Sequence, residues 1–188
     1  MSQNFFVICC LLCLLYCGQG CSSLRVVDLS KEPLGEDAVV LEVSPQPISK
    51  SLNYGQFALR VVFEYWGVTT ASYDILSEIS QSRKIRLTIT AKDLASYAEN
   101  YGFHAFLLQL DLDGILEQLQ KGRPVIILRK RSGTSGEYLV VTGFDPQRKQ
   151  IYIADTSSQI VACSYRWMRK NQRRNEQFAL LLVKKDDG

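Results

Sequence analysis

The hydrophobic pattern of the chain changes its period at Gly122, and this change limits the folds that the sequence can adopt. Before Gly122 the apolar residues recur at helical spacing, as Ala58, Leu59, Val62 and Phe63 do on one helix face. After Gly122 they come in short runs that are rich in β-branched side chains and typical of strands. Helices followed by an antiparallel meander predict an α+β domain.

Start and stop signals predict where the helices lie. Thr90 and Asp93 have the spacing of a capping box, in which two side chains bind backbone N–H groups at a helix start. Asp111 is a candidate cap for a later helix, because a carboxylate can accept from the first free N–H groups. The predicted helices are one that starts after Ser51 or Asn53 and ends at Gly67, one over 72–80, one from Thr90 to Gly102, and one from Asp111 to Gly122.

The strands are predicted from the apolar runs and the turn residues between them. Residues 129–137 hold charges, serines and two glycines, and are therefore predicted to form a hairpin loop. His104 is placed at the start of a strand that precedes Asp111. The other predicted strands cover residues 39–43, 124–128, 138–144, 150–154 and 178–183.

The N-terminal segment has the character of a signal peptide. Residues 1–21 contain no Lys, Arg, Asp or Glu, and an uninterrupted apolar run extends from Phe5 to Tyr16. A membrane span needs about 20 apolar residues, whereas this shorter run is typical of a signal-peptide core. No positive charge precedes the run, so an uncleaved N-terminal anchor is the alternative.

The cysteines point to lipid attachment. Five of the six lie within residues 9–21 and only Cys163 lies beyond, a distribution that excludes a disulfide framework in the folded domain. The segment over 18–23 resembles a bacterial lipoprotein processing site, although Gly18 and Gln19 depart from the usual pattern. This resemblance implies that Cys21 is the lipidated N-terminus of the mature chain. Ser22 implies transfer to the outer rather than the inner membrane of the bacterial cell envelope.

These observations divide the chain into three parts. Residues 1–21 are predicted to be the lipoprotein signal peptide, 22–45 a linker with the lead-in strand, and 46–185 one folded domain. The formal net charge of +3 is too small to indicate a nucleic-acid partner.

Four stretches of the domain resemble the papain-fold peptidases that cut double-glycine leaders from bacteriocins and other exported peptides. The resemblance extends over about 46–183 and implies a papain-like cysteine-peptidase fold, with N-terminal helices packed on an antiparallel sheet. The matching stretches are Tyr-Gly-Gln-Phe-Ala-Leu over 54–59 with Tyr-Trp-Gly-Val over 65–68, Gly-Arg-Pro-Val-Ile-Ile over 122–127, Glu-Tyr-Leu-Val-Val-Thr-Gly-Phe-Asp over 137–145, and Ile-Ala-Asp over 153–155.

The departures from this family lie at the residues that carry its chemistry. Tyr54 stands where the family has its nucleophilic cysteine, and a phenol with a pKa of about 10 is a poor nucleophile at neutral pH. Glu137 stands where the family has the histidine base, whose proton transfer near pH 7 a carboxylate does not reproduce. Asp155 matches the orienting aspartate, and Gln46 is a candidate for the oxyanion-hole glutamine.

The remaining candidates for chemistry have ordinary structural explanations. His104 is the only histidine and is predicted to lie at a surface or edge position. Cys163 is predicted to be a small, half-buried apolar residue. One thiol and one histidine are too few ligands for a typical Cys/His metal site, so neither a metal nor a cofactor is expected. Tyr54 and Asp155 could form a hydrogen-bonded plug in the former site, or they could bind a ligand.

A cluster of cations surrounds Trp167. One interpretation is a solvated helix or loop before the last strand. The other is contact with an acidic partner or with lipid head groups, which a lipid anchor would favour. The cations are Arg166, Arg169, Lys170, Arg173 and Arg174, of which the last four are the candidate binding residues.

The resemblance and the departures together predict a catalytically inactive, peptidase-like lipoprotein. It would bind a peptide or protein of an export or envelope machine, because degenerate members of the family act as docking modules. One alternative is a hydrolase with an altered centre that uses Glu137 and Asp155. A purely structural envelope protein is the third hypothesis.

Overall fold

The computed structural model describes residues 24–45, 54–68, 89–130, 136–157 and 159–185. Four of the predicted features lie outside these ranges: the signal peptide with Cys21, Gln46, the caps Ser51 and Asn53, and the helix over 72–80.

One eight-stranded sheet forms the centre of the molecule, and every pairing in it is antiparallel. Its strand order is β1-β7-β6-β5-β4-β8-β3, and β2 pairs with β5 beside this path. The strands are β1 Arg25–Val27, β2 Val39–Val40, β3 Phe103–Gln109, β4 Val125–Lys130, β5 Gly136–Asp145, β6 Gln150–Asp155, β7 Gln159–Ser164 and β8 Phe178–Lys184.

Four helices are present in the described ranges, two on each face of the sheet. The α+β class is confirmed, with helices packed on an antiparallel sheet as predicted. The order along the chain is more mixed than helices followed by a meander. The strand predicted at His104 is present as β3 between the second and third described helices, and the segment before the last strand is a helix, one of the two predicted alternatives. The helices are α1 Tyr54–Tyr65, α2 Ala91–Asn100, α3 Leu112–Gln120 and α4 Tyr165–Arg174.

The predicted helix signals are present at the helix ends. The Thr90 hydroxyl accepts from the Asp93 N–H while the Asp93 carboxylate accepts from the Thr90 N–H, which is the predicted capping box. Asp111 caps α3 by accepting from the Gly114 N–H at 2.9 Å. The glycine after each of the first three helices has a positive φ, which costs glycine little; these are Gly67, Gly102 and Gly122.

The sheet separates two hydrophobic cores. On one face, α1 and α2 pack over β5 side chains such as Val140. On the other face, α3 and α4 pack over the alternate side chains, including Leu139 and Val141. Successive residues of a strand point to opposite faces, so β5 contributes to both cores. We call these the α1 face and the α4 face.

The segment over 129–137 is more regular than the predicted loop. Arg129 and Lys130 belong to β4, Gly136 and Glu137 belong to β5, and Arg129 pairs with Glu137 in the ladder. The prediction was wrong at both ends of the loop, because an ion pair between facing side chains extends the ladder through residues whose polarity had suggested a turn.

The predicted linker contributes two short strands to the sheet, over 25–27 and 39–40. β1 pairs with β7, and the lead-in strand is shorter than predicted, covering 39–40 instead of 39–43. The buried Asp145 carboxylate accepts from the Gly35 N–H at 2.9 Å and from the Arg148 N–H at 2.9 Å. Burial alone would raise the pKa of Asp145, but these backbone hydrogen bonds prevail and lower it.

Candidate functional site

Helix α1 presents its first residue at one end of the sheet. The residues from Gly55 to Phe63 are buried, whereas Tyr54 is 36% exposed. At the other end of the helix, the Tyr65 hydroxyl donates to the Gly122 carbonyl oxygen at 2.7 Å, just before β4 begins. Helix α1 therefore starts near the opposite end of the sheet, where β4 ends and β5 begins.

Tyr138 is the residue at this end of β5 that faces α1. It packs against the core of the α1 face, and its ring centroid lies 6.2 Å from that of Phe178. Burial raises the pKa of Tyr138, and the negative charge of Asp93 adds to the effect. The phenol therefore stays protonated at neutral pH and can donate a hydrogen bond, but it is not a base.

Glu137 lies on the α4 face, so it does not face Tyr54. Its side chain is completely buried and accepts from the Arg129 Nε at 2.8 Å and from the Arg129 Nη2. Glu137, which the resemblance placed at the position of the histidine base, is therefore not oriented toward α1. The match by sequence allowed either face, and the two-residue period of β5 decides between them, because Tyr138 and Val140 face α1 whereas Glu137 and Leu139 face away.

Asp155 ends β6 and makes local contacts. Its carboxylate accepts from the Thr156 N–H at 2.6 Å and from the Thr156 hydroxyl at 3.1 Å, with the Ser157 hydroxyl at 3.4 Å. No hydrogen bond joins Tyr54 to Asp155 among the described residues. The described side chains of Tyr54 and Asp155 therefore do not form the predicted hydrogen-bonded plug.

The only thiol and the only imidazole of the described residues lie far apart. Cys163 on β7 is fully buried on the α4 face, deeper than predicted, and burial raises its pKa to about 12 although the charge of Arg129 opposes this. His104 is exposed on β3, at the sheet edge, in agreement with the prediction. Four strands separate β7 from β3, which at the usual strand spacing is about 24 Å along the sheet.

Helix α4 carries the cationic cluster. Ser164 caps its first turn by accepting from the Trp167 N–H at 3.1 Å, and the buried side-chain amides of Asn171 and Gln172 donate to the backbone carbonyls of Leu128 and Leu110. The opposite side of the helix is exposed, in agreement with the prediction of a solvated helix. The exposed cations are Arg166, Arg169, Lys170, Arg173 and Arg174.

Sequence reasoning missed Arg129, Lys130 and Tyr138 as candidate site residues. Arg129 and Lys130 were placed in a loop because both are charged and follow the apolar run of β4. No clear signal marked Tyr138, because residues 138–141 are all apolar and their sequence does not show which of them face α1. No helix in the described ranges has both the length and the apolar character that a bilayer crossing requires.

Comparison with known proteins identifies the family. The model of the Peptidase_C39 like family matches residues 55–179, which is more than half of the chain. The chain belongs to the Peptidase_C39 like family. The family match contains Glu137 and Asp155 and begins one residue after Tyr54. The predicted resemblance to the leader peptidases is thereby confirmed.

Solved structures of this family have the same fold. The peptidase domain of Streptococcus ComA, a bi-functional ABC transporter involved in quorum sensing, is 20% identical with a TM-score of 0.61, covering 77% of this chain and 99% of that one. A double glycine motif protease from an AMS/PCAT transporter, solved with the leader peptide, is 18% identical with a TM-score of 0.59, covering 78% and 95%. A putative C39-like peptidase from Bacillus anthracis is 15% identical with a TM-score of 0.61, covering 80% and 99%. A search of curated protein sequences finds no match.

Proposed function

We propose that this member of the Peptidase_C39 like family is non-catalytic and binds a peptide or protein partner in the bacterial cell envelope, with export as its context. The family match supports the peptidase fold, and the start of α1 is the part of that fold where the partner would bind. We propose a leader peptide as the ligand, because one of the similar structures is a protease in complex with the leader peptide.

The separation of Cys163 from His104 is the observation that carries this proposal. Thiol catalysis needs a thiolate within hydrogen-bond reach of a base, at about 2.6–3.2 Å. Cys163 is buried with a pKa of about 12, and β6, β5, β4 and β8 lie between its strand and that of His104. At the start of α1, where the helix end would stabilise a thiolate, stands the phenol of Tyr54.

The position of Glu137 disfavours an altered hydrolase centre. A carboxylate base has to reach a water or substrate molecule near Tyr54 or Asp155. Glu137 is instead enclosed on the α4 face and held by the guanidinium of Arg129. Its role is therefore structural, and it supplies no base to the start of α1.

Cleavage and binding of a double-glycine leader peptide, measured side by side, test the proposal. The purified chain in detergent should leave the peptide intact in a mass-spectrometric time course. The same peptide, labelled with a fluorophore, should show saturable binding by anisotropy. Tyr54→Ser should weaken that binding at least about threefold, the loss expected when one aromatic contact is removed.

Leu34→Ser is the matched control, since Leu34 is 41% exposed and Tyr54 is 36% exposed, but Leu34 lies in the segment between β1 and β2. Binding that weakens equally in both variants would mean that the peptide does not recognise the start of α1. Cleavage by the purified chain that persists in Cys163→Ser would overturn the non-catalytic assignment in favour of an altered hydrolase centre.

We also propose that lipid on Cys21 holds the chain at the membrane, preferably the outer one. The support is the processing-site resemblance of residues 18–23 and the apolar run before them. Mass spectrometry of the mature chain should find a diacylglyceryl-modified Cys21 at its N-terminus. An unmodified chain that begins at Met1 would contradict this proposal.

A further inference from the structure

A second candidate site lies on the α4 face, away from the start of α1. A surface cavity of about 300 Å³ opens between the end of β4 and helix α4. Among the described residues, four cationic side chains line it, two from each element: Arg129 and Lys130 from β4, and Lys170 and Arg174 from α4. None of the described residues in this lining is acidic.

The framework of this cavity is held by hydrogen bonds that leave the cations available. The Asn171 amide donates to the Leu128 carbonyl at 3.0 Å, and the Asn175 side-chain oxygen accepts from the Lys130 N–H at 3.3 Å. These bonds connect α4 to the last residues of β4. Buried amides that are bonded to backbone hold the two elements in one arrangement, which presets the positions of the charged residues.

Of the four cations, only Arg129 has a carboxylate partner among the described residues. Glu137, behind the cavity, accepts from its Nε at 2.8 Å and orients the guanidinium. Lys130, Lys170 and Arg174 form no ion pair with another described residue. Like charges held close together repel one another, so a bound anion would stabilise this arrangement.

The neighbouring cavity provides the contrast. It measures about 220 Å³ and is lined by two further cations of the cluster, Arg169 and Arg173, together with Asp111 and Asp113. There the helix cations have acidic neighbours, whereas all the described charged residues that line the cavity of Lys170 and Arg174 are cations. Four of the five cations of the cluster are thus divided between two sites of different electrostatic character.

We propose that the cavity of Arg129, Lys130, Lys170 and Arg174 binds a phosphate group, either of a soluble phosphate ester or of a lipid head group. A phosphate monoester is compact and carries up to two charges, and the planar donors of arginine match its oxygens. Trp167 adds an aromatic wall that the organic part of the ligand can contact.

Titration of the full chain tests this proposal. Inorganic phosphate and glycerol 3-phosphate are titrated by calorimetry at constant ionic strength, with chloride as the reference anion. In a separate arm, the chain is sedimented with phosphatidylcholine vesicles that contain about one fifth phosphatidic acid, and with phosphatidylcholine alone. Binding in the soluble arm assigns the site to a phosphate ester, whereas binding only to the phosphatidic acid vesicles assigns it to a head group.

The decisive comparison is between two double variants that remove the same charge from the same helix. Lys170→Gln with Arg174→Gln should weaken phosphate binding at least about tenfold, because charge-assisted hydrogen bonds are lost. Arg169→Gln with Arg173→Gln should change it less than about threefold, the effect of screened long-range charge. Circular dichroism checks that both variants fold.

Three results would overturn the proposal. The first is no phosphate binding in either arm, and the second is equal weakening in the two double variants, which would indicate the general field of α4. The third is binding of an oligoglutamate peptide as tight as that of glycerol 3-phosphate, which would assign the surface to an acidic protein.

Discussion

The two faces of the sheet carry side chains of different chemistry. On the α1 face, the family fold is retained with a central helix, but its first residue is an exposed phenol and its β5 neighbour is a second phenol, Tyr138. The α4 face carries a buried ion pair and a helix with exposed cations. The face that resembles an active site has phenols near the start of α1, whereas the exposed cationic helix lies on the other face.

The two faces also differ in how their polar side chains are hydrogen-bonded. The charged groups of the α4 face have structural constraints, since Glu137 fixes Arg129 and the amides of α4 fix the helix. Tyr54 has solvent around it and no hydrogen-bond partner among the described residues. We therefore expect substitutions on the α4 face to change the free energy of unfolding. Substitutions at the start of α1 should instead change how readily the side chain there reacts with reagents in solution.

Thiol reactivity should show the largest difference between the two faces. In a Tyr54→Cys variant, the new thiol at a helix N-terminus should have a pKa below the free value of about 8.5, while Cys163 ionises only near pH 12. At pH 7 the alkylation rates should differ roughly 10³-fold or more, since only thiolate reacts. Iodoacetamide labelling followed by peptide mapping measures each cysteine separately.

The rate at Cys163 should rise only in strongly alkaline buffer, because its thiol must lose a proton that burial retains. Similar labelling of both cysteines at pH 7 would mean that Cys163 is accessible and that the two faces do not differ in this respect.

Removal of Arg129 should show the next largest effect. Arg129→Met takes away the guanidinium that holds the buried Glu137 carboxylate, and such losses lower the free energy of unfolding by about 3–5 kcal/mol. Tyr54→Phe, at the exposed start of α1, should change it by less than about 0.5 kcal/mol. Urea denaturation measures both.

The double variant Arg129→Met with Glu137→Leu should recover most of the loss, because it removes the buried charge together with its partner. If the single and double variants are equally destabilised, the loss comes from packing and not from the ion pair.

Removal of a helix cap should give a smaller change in stability than removal of Arg129. Ser164 and Thr90 cap helices on opposite faces of the sheet, so they can be compared directly. Ser164→Ala on α4 and Thr90→Ala on α2 should each lower the free energy of unfolding by about 1 kcal/mol. Only Ser164→Ala should also weaken phosphate binding, because Ser164 begins the helix that carries Lys170 and Arg174. Equal phosphate affinity in both variants would show that the cavity does not depend on the first turn of α4.

Local signals in the sequence predicted most of the elements correctly. The capping box of Thr90 and Asp93, the Asp111 cap and the glycines after the helices act within one or two turns, so the residues alone are sufficient. The stretches at 54–59, 122–127 and 137–145 were sufficient for the family. His104 was correctly placed at an edge because its surroundings lack any partner motif.

Non-local contacts decided the rest. Arg25–Val27 form a strand by pairing with the edge of β7, and the sequence near Arg25 does not name this partner. The same applies to the ladder through Arg129 and Glu137, where an ion pair between residues eight apart favours extension over a turn.

The sequence by itself determined the fold class and the family. Only the tertiary structure decided which face of β5 each residue occupies. A shift of one residue moves a strand side chain to the opposite face of the sheet. A sequence match therefore does not show which face a residue occupies when that residue differs from the one the family has at the position. Glu137 therefore supports a cationic surface on the α4 face, and Tyr138 takes the place beside α1.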